Sequence, residues 1–245
     1  MNSWQVFDSD TMVNAMQNEL NQQWFWYSVN GGAVQSIDQI GGLNITTDDG
    51  STLIALYRNS TLEVQVTYTL AGDGINPEGP GSALLNEAVS VYNLSSDNFN
   101  INFYEYANFN LIQNYDNGVT IYGQPGSYGG AIQTTWVTAA DANTLVEQYA
   151  NYAETGSPTE VMGDITHGNV LSGTTSFGPG EGDASWGLEW TSTVAPFAGD
   201  SDNEWSLDQA QALSISPVPE PATFSLFALG GLAGASFARR PLLSI

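Results

Sequence analysis

The chain has no cysteine and no lysine. Without cysteine there is no disulfide framework, no thiol nucleophile, and no thiolate-ligated zinc or iron–sulfur site. The basic residues are Arg58, Arg239 and Arg240 alone, set against 26 acids, for a net charge of -23. Such a surface repels phosphate and has nothing to neutralise it, which excludes DNA and RNA as partners. It favours solubility and attracts divalent cations instead. Charged residues of both signs make up only 12% of the chain, while aromatics reach 11%, too many for a disordered segment. Histidine occurs once, in Asp164-Ile165-Thr166-His167-Gly168, and no Gly-x-Ser-x-Gly elbow accompanies it. A glycosidase needs only two facing carboxylates, but none of the acids sits in a recognisable motif. The sequence therefore nominates no catalytic residue and no cofactor, and the expectation is a protein that is not an enzyme.

What is present is a succession of short strands. Leu62, Val64, Val66, Tyr68 and Leu70 alternate with Glu63, Gln65, Thr67 and Thr69, a period of two with one face apolar. Phe99, Ile101 and Phe103 alternate with Asn100, Asn102 and Tyr104, and Trp186, Leu188 and Trp190 with Gly187, Glu189 and Thr191. Turn chemistry separates the runs: Asn30-Gly31-Gly32, Asp48-Asp49-Gly50, and the hairpin-type Asp116-Asn117-Gly118. A helix is expected near 139–152, where Leu145, Val146 and Tyr149 share a face, with Gly156-Ser157-Pro158 as its stop. This pattern predicts a mainly β fold over residues 1–217: a single β-sandwich, jelly-roll-like, of about nine to twelve strands.

Two ligand sites are candidates on residue type. Tyr104 and Tyr106 share a strand face with Asn102, and tyrosine beside asparagine can stack on and hydrogen-bond a sugar, which would make an extracellular polysaccharide the partner. The competing reading is an ordinary polar outer face, since aromatics at alternate strand positions are more often core. Asp200, Asp202 and Glu204 place acids at alternate positions, as a calcium loop requires. They lack the glycine and closing glutamate of the full twelve-residue pattern, and a solvated acidic turn is the plainer reading.

The C-terminus is unlike the rest. Val218-Pro219-Glu220-Pro221 is followed by an uncharged run from Ala222 to Ala238 and then by Arg239-Arg240. Roughly 17 residues is the lower edge of what a helix needs to cross a bilayer core. The arginines predict that the last residues stay cytoplasmic while the body lies outside. The two prolines keep the segment before the run extended, where an enzyme can grip it. The tail resembles the PEP-CTERM sorting signal: a Val-Pro-Glu-Pro box, one hydrophobic helix, and a short basic end, here spanning 218–245. That resemblance implies export, passage through the membrane before processing, and recognition by an exosortase that cuts near the Pro-Glu-Pro. It also leads one to expect a signal peptide upstream of Met1-Asn2-Ser3, which is neither basic nor apolar. The body is similar to proteins often joined to this tail, through Asn102-Phe103-Tyr104-Glu105-Tyr106 and Trp186-Gly187-Leu188-Glu189-Trp190. That likeness implies no catalytic activity. The expectation from the whole chain is a structural or adhesive protein of the envelope or extracellular matrix; a glycan-binding module is the alternative, and a secreted hydrolase stands third.

Overall fold

Alternation of apolar and polar side chains lays most of this chain out as strands, because only then does each segment offer one face to a core. The structure is a computed structural model, and it describes residues 5–7, 16–18, 20–48, 50–72, 81–109, 118–124, 127–135, 142–147, 150–178, 182–197 and 203–215. The strands are β1 (Gln5–Phe7), β2 (Met16–Asn18), β3 (Leu20–Val29), β4 (Gln35–Ser36), β5 (Asn44–Asp48), β6 (Thr52–Arg58), β7 (Leu62–Gly72) and β8 (Gly81–Asn93). They continue as β9 (Phe99–Phe109), β10 (Gly118–Gln124), β11 (Ser127–Thr135), β12 (Ala142–Glu147), β13 (Tyr152–Gly156), β14 (Ser176–Phe177), β15 (Ser185–Val194) and β16 (Glu204–Ile215). One α-helix, α1, spans Pro158–His167.

Two sheets face each other. The larger has nine strands in the order β14-β10-β11-β12-β16-β8-β7-β6-β5, and the smaller has five in the order β13-β15-β9-β3-β4. Strands β1 and β2 form a separate pair. Every neighbouring pair runs antiparallel, including the long ladders β7–β8, β8–β16 and β9–β15. The result is a sandwich of unequal sheets.

Between them lies the core. Val64 and Val66 of β7 and Val89 and Val91 of β8 line the larger sheet's inner face, and Leu62 joins them. Phe25 and Tyr27 of β3, Ile101 and Phe103 of β9, and Trp186, Leu188 and Trp190 of β15 face them from the smaller sheet. Phe25 stacks on Phe103 with centroids 5.5 Å apart, and Trp205 of β16 reaches the same ring from the other sheet. The period read from β7 holds on its buried side from Leu62 to Val66 but not beyond: Tyr68 is half-buried and Leu70 is exposed, and Glu63, Gln65 and Thr67 on the outer side are half-buried.

Part of the outer face of the smaller sheet is covered, while Asn100, Thr191 and Thr193 at its other end are exposed. From Phe103 to Phe109 every residue of β9 is buried, as are Ser185 to Trp190 of β15. The cover is α1, which packs Val161 and Ile165, with Leu171 beyond it, onto Trp26, Tyr104 and Tyr106.

The helix itself corrects the expectation. Within the expected 139–152, residues 142–147 form β12 instead, hydrogen-bonded to β11 on one side and β16 on the other, and two ladders outweigh an apparent helical spacing of Leu145 and Val146. The true helix begins where the predicted one was to stop. Ser157 is its N-cap, with the Oγ accepting from the Glu160 N–H; Pro158 opens the first turn, and Gly168 closes the helix at φ 70°. Gly187 makes the seat. A Cβ there would lie 2.9 Å from Val161 Cγ1 and 3.1 Å from Ile165 Cδ1. Gly187→Val should lift α1 at a cost of about 1–3 kcal/mol. Lowered melting together with faster amide exchange confined to 158–167 would show it; a wild-type melt would mean the helix is seated elsewhere.

Candidate functional site

Three turns meet at one end of the sandwich: 30–34 after β3, 59–61 between β6 and β7, and 94–98 between β8 and β9. Each is held by its own asparagine. Asn30 adopts a positive φ of 52° and its Oδ1 accepts from the Asn100 N–H, pinning the first turn to β9. Asn59 Oδ1 accepts from the N–H groups of Thr61 and Leu62, both at 2.9 Å. Asn93 Oδ1 takes the Ser95 N–H at 2.9 Å, while its Nδ2 donates to the carbonyls of Asp97 and Val194. These are side chains mimicking backbone turns, so the loops are set before any ligand arrives.

The turns enclose a cleft of about 510 Å³. Its lining is apolar at Val29, Leu62 and Phe99 and polar at the exposed Gln35, Asn59 and Asn98, and it reaches the buried Tyr27. Tyr27 Oη donates to Gln35 Oε1 at 3.1 Å. One acid, Asp97, and no base lines it. A concave site of this size with an apolar lining and neutral carboxamides suits an uncharged polar molecule. Sequence reading passed over these residues because each looks like ordinary turn chemistry; the signal was that three asparagine turns fall at the same end of the strands.

A second polar group lies deep between the sheets. Glu87 of β8 and Glu105 of β9 are 1% and 0% exposed, on opposite sheets, with Gln23 of β3 and Gln209 and Gln211 of β16 around them. Gln23 Nε2 donates to Glu87 Oε2 at 2.8 Å and to Glu105 Oε1 at 2.7 Å. Gln209 Nε2 donates to the same two oxygens, at 3.0 Å to Glu105, and Gln211 Nε2 donates to Glu87 Oε2 at 3.0 Å. Burial pushes both carboxyls up. Glu105 goes well above the usual carboxylate range because the Glu87 charge adds to burial, while the amide N–H groups hold both back. These residues were legible by parity. Glu87 sits in step with Leu85, Val89 and Val91, and Glu105 with Ile101, Phe103 and Ala107.

The sugar platform expected from the sequence is covered. Tyr104 and Tyr106 are 1% and 2% exposed beneath α1, and Trp26 meets Tyr106 edge-on at 6.1 Å. Asn102 is half-buried and donates to Tyr104 Oη at 3.4 Å, and the Tyr104 hydroxyl also bonds Glu189. Those rings pack as core and offer no open face. Of the acidic loop, Glu204 is exposed at the start of β16, and Asp200 and Asp202 lie outside the described residues. Val218, Pro219, Glu220, Pro221, Arg239 and Arg240 lie outside them too. Among the described residues, no helix is long and apolar enough to cross a membrane, and no group of three or more histidine, aspartate or glutamate side chains is arranged to hold a metal. His167 closes α1, its ring Nδ1 on the Gly163 carbonyl.

Residues 217–240 match the PEP-CTERM protein-sorting motif. The chain carries a PEP-CTERM signal. It is thus an exported protein, processed by an exosortase and directed through the membrane to the envelope or the exterior. No curated protein matches this PEP-CTERM chain in sequence. In fold it is similar to a bacterial glucoamylase solved in complex with acarbose, at a TM-score of 0.56 and 10% identity. The alignment covers 91% of this chain but only 30% of the glucoamylase. Lower-scoring likenesses are a putative kojibiose phosphorylase from the human microbiome (TM-score 0.42, 11% identity, 90% of this chain and 26% of that one) and a galactose mutarotase related enzyme from Lactobacillus acidophilus (TM-score 0.45, 8% identity, 87% and 95%). At such identities the likeness is one of fold alone.

Proposed function

We propose that this exported protein is non-catalytic and serves a structural or adhesive role in the envelope or extracellular matrix, gripping neutral polysaccharide in the cleft between its three asparagine turns. The observation that carries this reading is the chemistry of the cleft: neutral carboxamides about an apolar lining, with a single carboxylate. A hydrolytic site would need a second acid facing Asp97. Asn59 retains its amide hydrogens for a ligand, since it commits its Oδ1 alone to the turn. The strongly acidic surface also suits a neutral partner better than an anionic one.

The test uses the full chain in mild detergent against a panel of neutral and acidic polysaccharides by affinity electrophoresis. Retardation on a neutral polymer without release of reducing ends supports the proposal. Asn59→Asp preserves the oxygen that caps Thr61 and Leu62 but removes the amide donors, so it should weaken retention roughly 2- to 10-fold, the worth of about one hydrogen bond, at an unchanged melting temperature. Release of reducing sugar above a mock preparation would overturn the non-catalytic reading. Retardation untouched by Asn59→Asp would move the binding away from this cleft.

A further inference from the structure

We propose that Glu87 and Glu105, together with the carboxamide oxygens of Gln209 and Gln211, form an internal binding site for one hard divalent cation, calcium fitting best, that ties the two sheets of the sandwich together. Two carboxylates from opposite sheets stand within one hydrogen bond of the same amide nitrogens. In a low-dielectric interior their repulsion is strong, and a buried charge needs a partner. Among the described residues, Arg58 is 59% exposed and bound to Glu63 at 3.0 Å, so it does not stand beside the pair. A cation bound from solution would supply the compensating charge.

The ligand set points the same way. Glu87 Oε1, Glu105 Oε2, Gln209 Oε1 and Gln211 Oε1 have no hydrogen-bond partner among the described residues. Gln209 and Gln211 are 5% and 0% exposed, and both already direct their amide ends at Glu87. Buried polar atoms left without partners ask for an explanation. A half-turn of each carboxamide exchanges Nε2 for Oε1, a choice that only its surroundings decide, and converts hydrogen-bond donors into oxygen ligands. Two carboxylates and neutral amide oxygens, with no sulfur or imidazole, select a hard cation. Calcium takes about six to eight oxygens in flexible geometry, whereas magnesium holds on to several waters. The exposed loop at Asp200, Asp202 and Glu204 plays no part.

The experiment unfolds the full chain in chelator, with mild detergent present, and refolds it with or without millimolar calcium. Metal content after exhaustive dialysis and melting temperature are then read. Wild type should retain one calcium per chain and melt several degrees higher when refolded with it. The isosteric Glu105→Gln should retain none and lose that response. Wild type that holds no calcium and melts alike in both conditions would overturn the site. So would Glu105→Gln melting above wild type in calcium, since the pair would then share a proton and the second charge would be only a burden. If Glu105→Gln does not fold, the metal content and chelator response of wild type decide the matter.

Discussion

Replacing Pro219, Glu220 and Pro221 by alanine should abolish processing and leave full-length chain in the membrane fraction. The tail presents three parts to two different physical readers. The apolar run from Ala222 to Ala238 is read by the bilayer, and at roughly 17 residues it reaches the lower limit of a spanning helix. The Pro-Glu-Pro is the segment a processing enzyme would read, since prolines donate no backbone hydrogen bond and disfavour helix. Alanines there favour helix instead, so the membrane helix would extend through the recognition segment while insertion itself is unaffected. If Arg239 and Arg240 set the orientation, replacing both should let the tail slip through the bilayer, a separable defect. A C-terminal tag followed by fractionation and blotting, in a host that carries an exosortase, distinguishes the two. If the alanine variant loses its tag as fast as wild type, processing does not depend on the motif, and the run is a plain anchor cut by another protease.

Val66→Asp should be the most damaging single change to the body. Val66 is 0% exposed, lies between Ala55 and Val89 in the larger sheet, and faces the smaller one. An aspartate there would put an unpaired carboxyl, charged or forced to take up a proton, in an apolar layer, and Arg58 is held at the surface by Glu63. A buried charge left without a partner costs about 3–5 kcal/mol, which in a protein of this size lowers the melting temperature on the order of 10 °C. Thr67→Asp, one residue on and facing outward, should stay within about 0.5 kcal/mol of wild type. Equal melting of the two variants would refute the assignment of inside and outside along β7.

The helix shows how a local signal is missed when a stronger one is adjacent. Ser157-Pro158-Thr159-Glu160 holds an N-cap, a first-turn proline and an acid three residues on, the grammar of a helix start. Preceded by Gly156, the same residues also read as a stop, and the spacing of Leu145, Val146 and Tyr149 drew the prediction upstream. Only the ladders to β11 and β16 decide that 142–147 is a strand. Tyr104 and Tyr106 show the converse case. Their strand and their shared face were legible in the alternation of β9, but whether that face was open to a sugar was not.

By itself, the sequence determined the destination of this protein and the class of its fold. The sorting tail is contiguous and its parts act through local properties: chain stiffness, hydrophobic length, terminal charge. The strands follow from a period of two that any stretch of a few residues displays, and the same parity places Glu87 and Glu105 on inward faces. Tertiary structure alone decided what covers each face and which distant residues meet. It laid α1 over Tyr104 and Tyr106, drew the turns at Asn30, Asn59 and Asn93 to one end, and brought two glutamates from opposite sheets onto shared glutamine nitrogens. A strand's pattern records which residues point the same way; what they meet there is set by segments far along the chain, whose packing no local spacing encodes.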